Sequence, residues 1–377
     1  MKTNLAPKHV RNIDGTFLLW FKVSNRYAVV SSSAWTVISI FLNTKDRSSF
    51  FTALDTKHQI KDAPAQNIFD DISQFLVDLN SHTLANVEPA NSIPRPKYRH
   101  VQCYKFWETT IKINFETAPI KSIIHPQIAH HKTNLVSTKL DEFDIFQKQD
   151  YLYLYKNKNH IGHYKTNAFH LLQGRFALEL TNTIHKTQID NWNATFHAST
   201  VTNGQESIMI IGDSGNGKST LSALLMASGF DLLADDFTPM YEDMNLYRYP
   251  NAISIKKGAF NILESKIPRF NSLKTLTNGL KKINIKYLPQ DKNLDSILSN
   301  FPCKKVVLVK FDISKPSELL PISIEKILET LIPDSWISPN EKHAVKFMNW
   351  LSNIQSFQLS YCDNDFAINK FKELFNQ

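Results

Sequence analysis

The chain has 377 residues and 42% hydrophobic content, which suits a globular protein with room for about two or three domains. No apolar stretch approaches the ~18 residues that a membrane-spanning helix needs, and the N-terminal residues lack the apolar segment of a signal peptide. The net charge is +8, but the lysines are scattered among acids, so we expect no nucleic-acid and no membrane partner. Cys103, Cys303 and Cys362 show no metal-binding spacing, which favours a reducing, cytoplasmic location.

Residues 12–84 form a distinct N-terminal block. Two apolar runs separated by a Ser-Asn-Arg turn predict a β-hairpin, and a serine run after it offers an N-cap for the first of three helices. Apolar residues in the last helix recur every three or four positions, so they line one face. The predicted strands and helices cover residues 16–23, 27–30, 34–42, 47–57 and 64–79.

This hairpin followed by three short helices resembles the PqqD-like peptide-recognition domain of peptide-modifying pathways, a small winged-helix-like fold. The resemblance lies in the order of the elements and not in diagnostic identities. It implies that residues 12–84 bind the leader of a precursor peptide, which adds as a strand to the edge of the sheet. We therefore assign residues 1–84 to a PqqD-like peptide-binding domain. The alternative is a winged-helix-like packing module with no partner.

Residues 85–99 are predicted to form a linker, because three prolines and polar neighbours disfavour helix and sheet alike. A strand over 151–155 and a helix over 167–180 follow, with aromatic side chains that we interpret as core. Beyond residue 257 we predict scaffold, and we interpret the stretch 274–286 as a solvated loop. The predicted scaffold elements are a strand over 305–311 and helices over 324–331, 340–353 and 365–376.

Three of the chain's ten glycines lie within six residues, in the run Gly212-Asp213-Ser214-Gly215-Asn216-Gly217-Lys218-Ser219. This G-x-x-x-x-G-K-S phosphate loop, or Walker A motif, has a predicted strand before it over 207–211 and a predicted helix after it over 220–228. Glycines let successive backbone N–H groups turn towards an anion. We expect the residues of this run other than Asp213, together with Thr220, to bind the phosphates of ATP. Lys218 is expected on the β- and γ-phosphates and the Ser219 hydroxyl on Mg²⁺.

Asp235 and Asp236 follow a short predicted strand, seventeen residues after Lys218. In a right-handed βαβ unit this strand runs parallel to the strand before the phosphate loop, so both carboxylates are expected at the same edge of the sheet. We expect them to divide two duties, one as Mg²⁺ ligand and one as general base towards a hydroxyl. The assignment between the two is left open. The alternative is an acidic turn after a strand.

His197 precedes the phosphate loop by one predicted hairpin. If Asn203 and Gly204 are its two-residue turn, His197 faces Ile210, beside the phosphates. His197 is therefore a candidate catalytic residue that orients a carboxylate or contacts the transferred phosphate. The alternative is a structural histidine on a strand.

These segments together resemble the C-terminal domain of HPr kinase and its relatives, which phosphorylate serine in proteins and peptides and have a fold akin to phosphoenolpyruvate carboxykinase. The resemblance rests on His197-Ala198-Ser199, the phosphate loop and Ala234-Asp235-Asp236. Residues 249–256 resemble a Pro-x-x-Ile-x-x-Lys segment of relatives in peptide natural-product clusters, which makes Lys256 a candidate second phosphate contact. The resemblance covers residues 100–377, with 100–194 as the N-terminal part of the kinase module and 195–377 as the ATP-binding catalytic domain.

The resemblance implies an α/β fold, α+β overall, in which an HPr kinase-like domain follows the PqqD-type domain. It implies ATP- and Mg²⁺-dependent transfer of phosphate to a Ser or Thr hydroxyl. Thr220 stands where bacterial HPr kinases usually carry Glu, and their glycine-rich downstream signature is absent, so we expect a ribosomally made precursor peptide or small protein as substrate instead of HPr. The alternatives are a non-catalytic peptide-binding scaffold and a kinase of a small metabolite. A homo-oligomer is left open.

Overall fold

The computed structural model describes residues 4–81, 93–134, 140–278, 283–290 and 300–376. Its α-helices and several β-sheets confirm the mixed α and β class. Contacts divide the chain into two compact units, the first being Met1–Ala85 with Ile322–Ile354 and the second Asn86–Pro321 with Gln355–Gln377. Much of the predicted linker at 85–99 lies outside the described residues. Among the described helices, none is both long and apolar enough to cross a membrane.

The first unit begins with a three-stranded antiparallel sheet and three helices. They are β1 (His9–Ile13), β2 (Thr16–Phe21), β3 (Arg26–Ser31), α1 (Ser32–Asn43), α2 (Arg47–His58) and α3 (Asp62–Asn80). The hairpin and the three helices confirm the predicted elements, whereas β1 was not predicted. The Ser31 side chain accepts the Ala34 N–H at the start of α1, and Asp46 and Ser49 form a capping box at the start of α2.

The second unit begins with a six-stranded sheet and two helices. The elements are β4 (His100–Phe106), β5 (Thr109–Phe115), α4 (Ala118–Ile128), β6 (Lys132–Thr133), β7 (Asp141–Lys148), β8 (Tyr151–Lys156), β9 (Asn159–Lys165) and α5 (Phe169–His185). The strand order is β6-β4-β5-β7-β8-β9. Alternate strand residues form an apolar face that packs with residues of α4 and α5 in one core. The strand and helix predicted in this region are confirmed as β8 and α5.

A larger sheet carries the phosphate loop. The next elements are β10 (Trp192–Phe196), β11 (Ser199–Thr202), β12 (Ser207–Ile211), α6 (Lys218–Ala227), β13 (Asp231–Ala234), β14 (Thr238–Tyr241), β15 (Asn245–Tyr247), β16 (Ile253–Lys256), α7 (Phe260–Lys266), β17 (Leu276–Asn278), β18 (Ile283–Leu288), β19 (Asn300–Phe311) and β20 (Glu318–Pro321). Strands β16, β18 and β17 form a small separate sheet. The predicted loop at 274–286 is therefore wrong in its described part, because alternating apolar residues of β18 pair with β16. Lys281 and Lys282 lie outside the described residues.

The chain ends with α8 (Ile324–Leu331), β21 (Trp336–Ile337), α9 (Glu341–Leu351), β22 (Gln355–Tyr361) and α10 (Asn364–Phe375). Strand β22 pairs in parallel with β19, which pairs in parallel with β12. The carboxyl ends of these three strands therefore meet at one edge of the sheet. Strand β13 is antiparallel to β11, and β11 is antiparallel to β12. The return strand β13 is thus parallel to β12 as predicted, but β11 lies between them.

Helices α8 and α9 group with the N-terminal unit, although they follow the phosphate loop in sequence. This grouping differs from the predicted division of the chain, in which both helices belong to the segment 195–377. The Lys22 ammonium lies 2.8 Å from a Glu341 carboxylate oxygen, and the Asn25 side chain donates to the Ile337 carbonyl. The Tyr27 ring meets the Phe347 ring edge-on, with 5.5 Å between centroids. Residues 322–354 therefore pack against the β2–β3 hairpin of the first unit.

We predict that Phe347→Ala unfolds the first unit at a lower denaturant concentration. Phe347 is fully buried between Tyr27 and Trp350, so truncation leaves a cavity that costs about 3–5 kcal/mol. The matched control is Trp336→Ala, because Trp336 is 42% exposed and its loss leaves no cavity. Urea unfolding followed by Trp fluorescence and circular dichroism measures both variants. Equal midpoints for the two variants would contradict the packing described here.

Candidate active site

The phosphate loop joins the buried strand β12 to helix α6. Gly217 has a φ of 90°, and a Cβ on it would lie 2.8 Å from the Tyr361 hydroxyl. Gly212 has a φ of 148°, and a Cβ there would lie 2.7 Å from the Val309 carbonyl oxygen. Glycine is therefore required at both positions, by backbone conformation and by close approach of β19 and β22.

A cavity of about 300 Å³ opens above this loop. It is lined by most of the residues that the sequence analysis assigned to the site, namely His197, Ser214, Gly215, Gly217, Lys218, Ser219, Thr220, Asp236 and Lys256. Gly212, Asn216 and Asp235 do not line it. Gly212 and Asn216 shape the loop from behind, since the Asn216 carbonyl accepts the Phe311 N–H at 3.2 Å. The structure thus brings the predicted site residues together around one space.

Lys218 begins helix α6 and is 6% exposed. Its ammonium donates to two carbonyl oxygens of the loop itself, Gly212 at 2.5 Å and Asp213 at 3.3 Å. Burial lowers the pKa of this ammonium, while the negative charges of Asp236 and Asp235 oppose the shift. The loop therefore holds the Lys218 ammonium at the N-terminus of a helix. A helix N-terminus also attracts anions, so both features favour the binding of a phosphate group.

Asp235 is fully buried at the carboxyl end of β13. Its carboxylate accepts hydrogen bonds from the Ser199 hydroxyl at 2.5 Å and from the Ser219 hydroxyl at 3.2 Å. Burial raises the pKa of Asp235 to about 7, with a further contribution from the charge of Asp236, while hydrogen bonds from Ser199 and Ser219 oppose the rise. The Asn251 amide donates to the Asp235 backbone carbonyl at 2.9 Å. Asp235 is thus anchored beside the hydroxyl predicted to bind Mg²⁺.

Asp236 has the opposite surroundings, although it is the next residue. Its backbone is left-handed, with a φ of 59°, which is uncommon for a residue other than glycine. Asp236 lines the cavity, whereas Asp235 lies beneath it. The two carboxylates therefore have different surroundings. Hydroxyl groups enclose the Asp235 carboxylate, whereas the Asp236 carboxylate is available to a molecule in the cavity.

His197 lines the cavity, but the predicted register that placed it there is wrong. The turn between β11 and β12 has four residues, 203–206, because the Asn203 side chain accepts the N–H groups of both Gln205 and Glu206. Ser199 is therefore the residue that faces Ile210. His197 lies before β11 in an exposed bend and reaches the cavity from there.

Lys256 ends strand β16 at the cavity, where its ammonium lies 3.3 Å from the Ser214 hydroxyl. The segment before this strand is held by residues near α4. The Ala252 N–H donates to the Gln127 carbonyl at 2.7 Å, and a His131 ring nitrogen lies 2.8 Å from the Pro250 carbonyl oxygen. The six-stranded sheet and its helix therefore fix the segment that carries Asn251 and Lys256.

Several further residues shape the site and were not assigned from the sequence, among them Ser199, Asn251, Ser254 and Tyr287. Tyr287 on β18 is paired with Ser254 on β16. Burial raises the pKa of the Tyr287 phenol, the charge of Asp236 raises it further, and a hydrogen bond with Ser254 opposes the rise. The His-Ala-Ser run contained a signal for Ser199. Asn251 and Ser254 lie in the segment 249–256 that the sequence analysis singled out for Lys256. Their contacts, and that of Tyr287, depend on residues that only the fold brings together.

The donor set fits ATP and Mg²⁺. Among the described residues, no group of three or more His, Cys, Asp and Glu side chains forms a metal site by itself. Ser219 and Asp235 offer two neighbouring protein oxygens, which suits Mg²⁺, since this ion keeps waters and phosphate oxygens in most of its coordination sphere. Lys218 and the glycine-rich backbone offer the complementary charge and N–H groups for a polyphosphate.

No protein-family profile matches this chain, and no curated protein matches it. Among solved structures, the chain is similar to the HPr(Ser) kinase/phosphatase from Coxiella burnetii, with 14% sequence identity and a TM-score of 0.23. The match covers 48% of this chain and 88% of that one. This is a distant structural likeness over about half of the chain, and at this TM-score we draw no argument from it.

We predict that the pKa of Asp235 makes the stability of the protein depend on pH. A carboxyl with a pKa near 7 in the folded state and 3.8 in the unfolded chain binds its proton more tightly when folded. Its stabilising contribution is therefore complete below the unfolded pKa and is lost as the pH rises through about 7. Asp235→Asn removes this dependence.

Thermal unfolding measured at several values between about pH 5 and pH 8 tests this prediction. The difference in melting temperature between the Asp235→Asn variant and the parent should grow with pH. The matched control is Asp365→Asn, because the Asp365 side chain is 71% exposed. A constant difference between Asp235→Asn and the parent over this interval would contradict a raised pKa at Asp235.

Proposed function

We propose that the chain is an ATP- and Mg²⁺-dependent kinase that transfers the γ-phosphate to a Ser or Thr hydroxyl of a ribosomally made precursor peptide or small protein. One observation carries the proposal. Asp235 is hydrogen-bonded to Ser219 of the phosphate-loop helix, while Asp236 lines the same cavity as Lys218. The phosphate loop and a candidate base thus border one space. Ser219 borders it too and contacts the buried Asp235, its partner in the candidate metal-binding pair.

The environments of the two aspartates support a division of roles. Asp235 and the Ser219 hydroxyl are the candidate metal ligands, because they are already adjacent and enclosed. Mg²⁺ bound there would neutralise charge on the phosphates. Asp236 is the candidate base, because it borders the cavity where an acceptor hydroxyl would lie.

The proposed transfer is an in-line displacement at the γ-phosphorus. Asp236 accepts the proton of the acceptor hydroxyl as the new oxygen–phosphorus bond forms, and the bond from phosphorus to the ADP oxygen breaks. Lys218 stabilises the negative charge that moves onto the leaving ADP. His197 and Lys256 border the same cavity and are assigned to the transferred phosphate or the acceptor.

A peptide substrate is favoured by the first unit. In the sheet order β1-β2-β3, the described strands leave one edge of β3 without a partner strand. An extended peptide can add to such an edge through backbone hydrogen bonds, with side-chain pockets that supply selectivity. This is the binding mode that the PqqD-like resemblance implies for residues 12–84. A kinase that acts on a small metabolite would not need a peptide-binding unit of this kind.

We predict that Asp236→Asn abolishes phosphoryl transfer but retains nucleotide binding. Loss of a general base lowers kcat by about 10²- to 10⁴-fold, whereas a neutral isostere leaves the cavity shape unchanged. Lys218→Ala should weaken nucleotide binding as well as transfer. The measurements are phosphopeptide mass spectrometry, with peptides encoded beside this gene as substrates, and calorimetric binding of ATP with Mg²⁺. The matched control is Asp243→Asn on the β14–β15 turn.

Unchanged turnover in the Asp236→Asn variant would refute its role as base. Tight ATP binding without phosphate transfer to any peptide or metabolite, in the unaltered protein, would favour the non-catalytic scaffold.

We predict that a substrate peptide protects the backbone amides of β3 from hydrogen exchange. Strand addition places new hydrogen bonds on the open edge of Arg26–Ser31, and these slow exchange of the amides that form them. Strand β1, at the other edge of the same sheet, is the internal control. Mass spectrometry of exchange with and without the peptide measures both strands. Protection confined to the phosphate-loop cavity would exclude docking on the first unit.

A further inference from the structure

The cavity has a second wall that phosphate chemistry does not explain. It is formed by Phe311, Tyr361 and Asn364, at the carboxyl ends of β19 and β22 and the start of α10. In the sheet, β19 and β22 lie on one side of β12, while β11 and the acid-bearing β13 lie on the other. The wall is therefore separated from Asp235 and Asp236 by the phosphate loop itself.

Phe311 presents an aromatic surface beside the phosphate loop, and a backbone hydrogen bond holds it there. Its N–H donates to the Asn216 carbonyl of the phosphate loop at 3.2 Å, and its Cβ lies close to Gly217. Its ring meets the Tyr361 ring edge-on, with 5.4 Å between centroids, yet Phe311 is 37% exposed. A large apolar ring held beside a phosphate loop suits a planar heteroaromatic ligand, which can stack on it.

Asn364 adds a polar edge to this wall. It is the first residue of α10 and lines the cavity, and its side chain makes no hydrogen bond to any other residue that the structure describes. A carboxamide presents an N–H donor and a carbonyl acceptor side by side. Adenine presents the matching pair, an acceptor at N7 beside a donor at N6, whereas guanine presents two acceptors, N7 and O6.

We propose that Phe311 and Asn364 bind the nucleobase of the nucleotide, with Phe311 as stacking surface and Asn364 as the residue that selects adenine over guanine. This inference rests on the proposed nucleotide-dependent function and assigns the base to the far side of the phosphate loop from the acids. The base then lies at the carboxyl ends of parallel strands, where ligands of such sheets bind. The phosphates extend from it across the loop towards Lys218.

The experiment measures calorimetric affinities of the full chain for ADP, GDP and inorganic tripolyphosphate, each with Mg²⁺. Phe311→Ala should weaken ADP and GDP about tenfold or more, since stacking on a base is lost, and should leave tripolyphosphate unchanged. Asn364→Ala should reduce the preference for ADP over GDP about tenfold, again without effect on tripolyphosphate. Leu320→Ala is the matched control, because Leu320 is 51% exposed on β20 and does not line the cavity.

Phe311→Leu provides a second variant that keeps apolar volume but removes the aromatic face, and it should behave as Phe311→Ala does. The inference is overturned if both Phe311 variants bind ADP as tightly as the parent, or if Asn364→Ala keeps the full preference for ADP. In either case tight binding of tripolyphosphate would leave the proposed function standing. A parent protein that binds none of the three ligands would overturn both.

Discussion

The site depends on one buried carboxyl group. Asp235 accepts hydrogen bonds from Ser199 on β11 and from Ser219 on α6, and its carbonyl accepts one from Asn251. Burial of a carboxylate costs free energy unless hydrogen bonds satisfy it. These partners therefore stabilise the Asp235 carboxylate, and the carboxylate in turn fixes their positions. The phosphate loop, the acid pair and the segment leading to β16 are thereby tied at one point.

The cavity changes chemically along the order of the strands. Asp236 and His197 lie at one side, the Lys218 ammonium and the glycine-rich backbone lie in the middle, and Phe311 with Asn364 lies at the other. Each group comes from a different strand end, so a single sheet edge presents an anionic, a cationic and an apolar section in sequence. Such an ordered edge suits an extended ligand whose parts differ in the same way.

Local signals in the sequence were sufficient to predict most helices and strands and the phosphate loop. Strand β12, helix α6 and the helices of the first unit lie within a few residues of their predicted positions, because caps, glycines and apolar periodicity are read over short stretches. The register of His197 failed because the Asn203 side chain builds a longer turn than the Asn-Gly pair suggests. The hydrogen bond from Asn251 to the Asp235 carbonyl and the pairing of Tyr287 with Ser254 were not predicted, because both join residues that only the fold brings together.

The first unit is formed by two separate segments of the chain, and this affects how the protein folds. Trp20, Tyr27 and their neighbours precede the second unit in the sequence, whereas Phe347, which packs against Tyr27, follows most of it. Domains whose chain is continuous can fold while translation goes on. The first unit is discontinuous, since most of the second unit lies between its two parts in the sequence. Contacts between the two parts therefore join residues far apart in the chain, and contacts of long sequence separation slow folding.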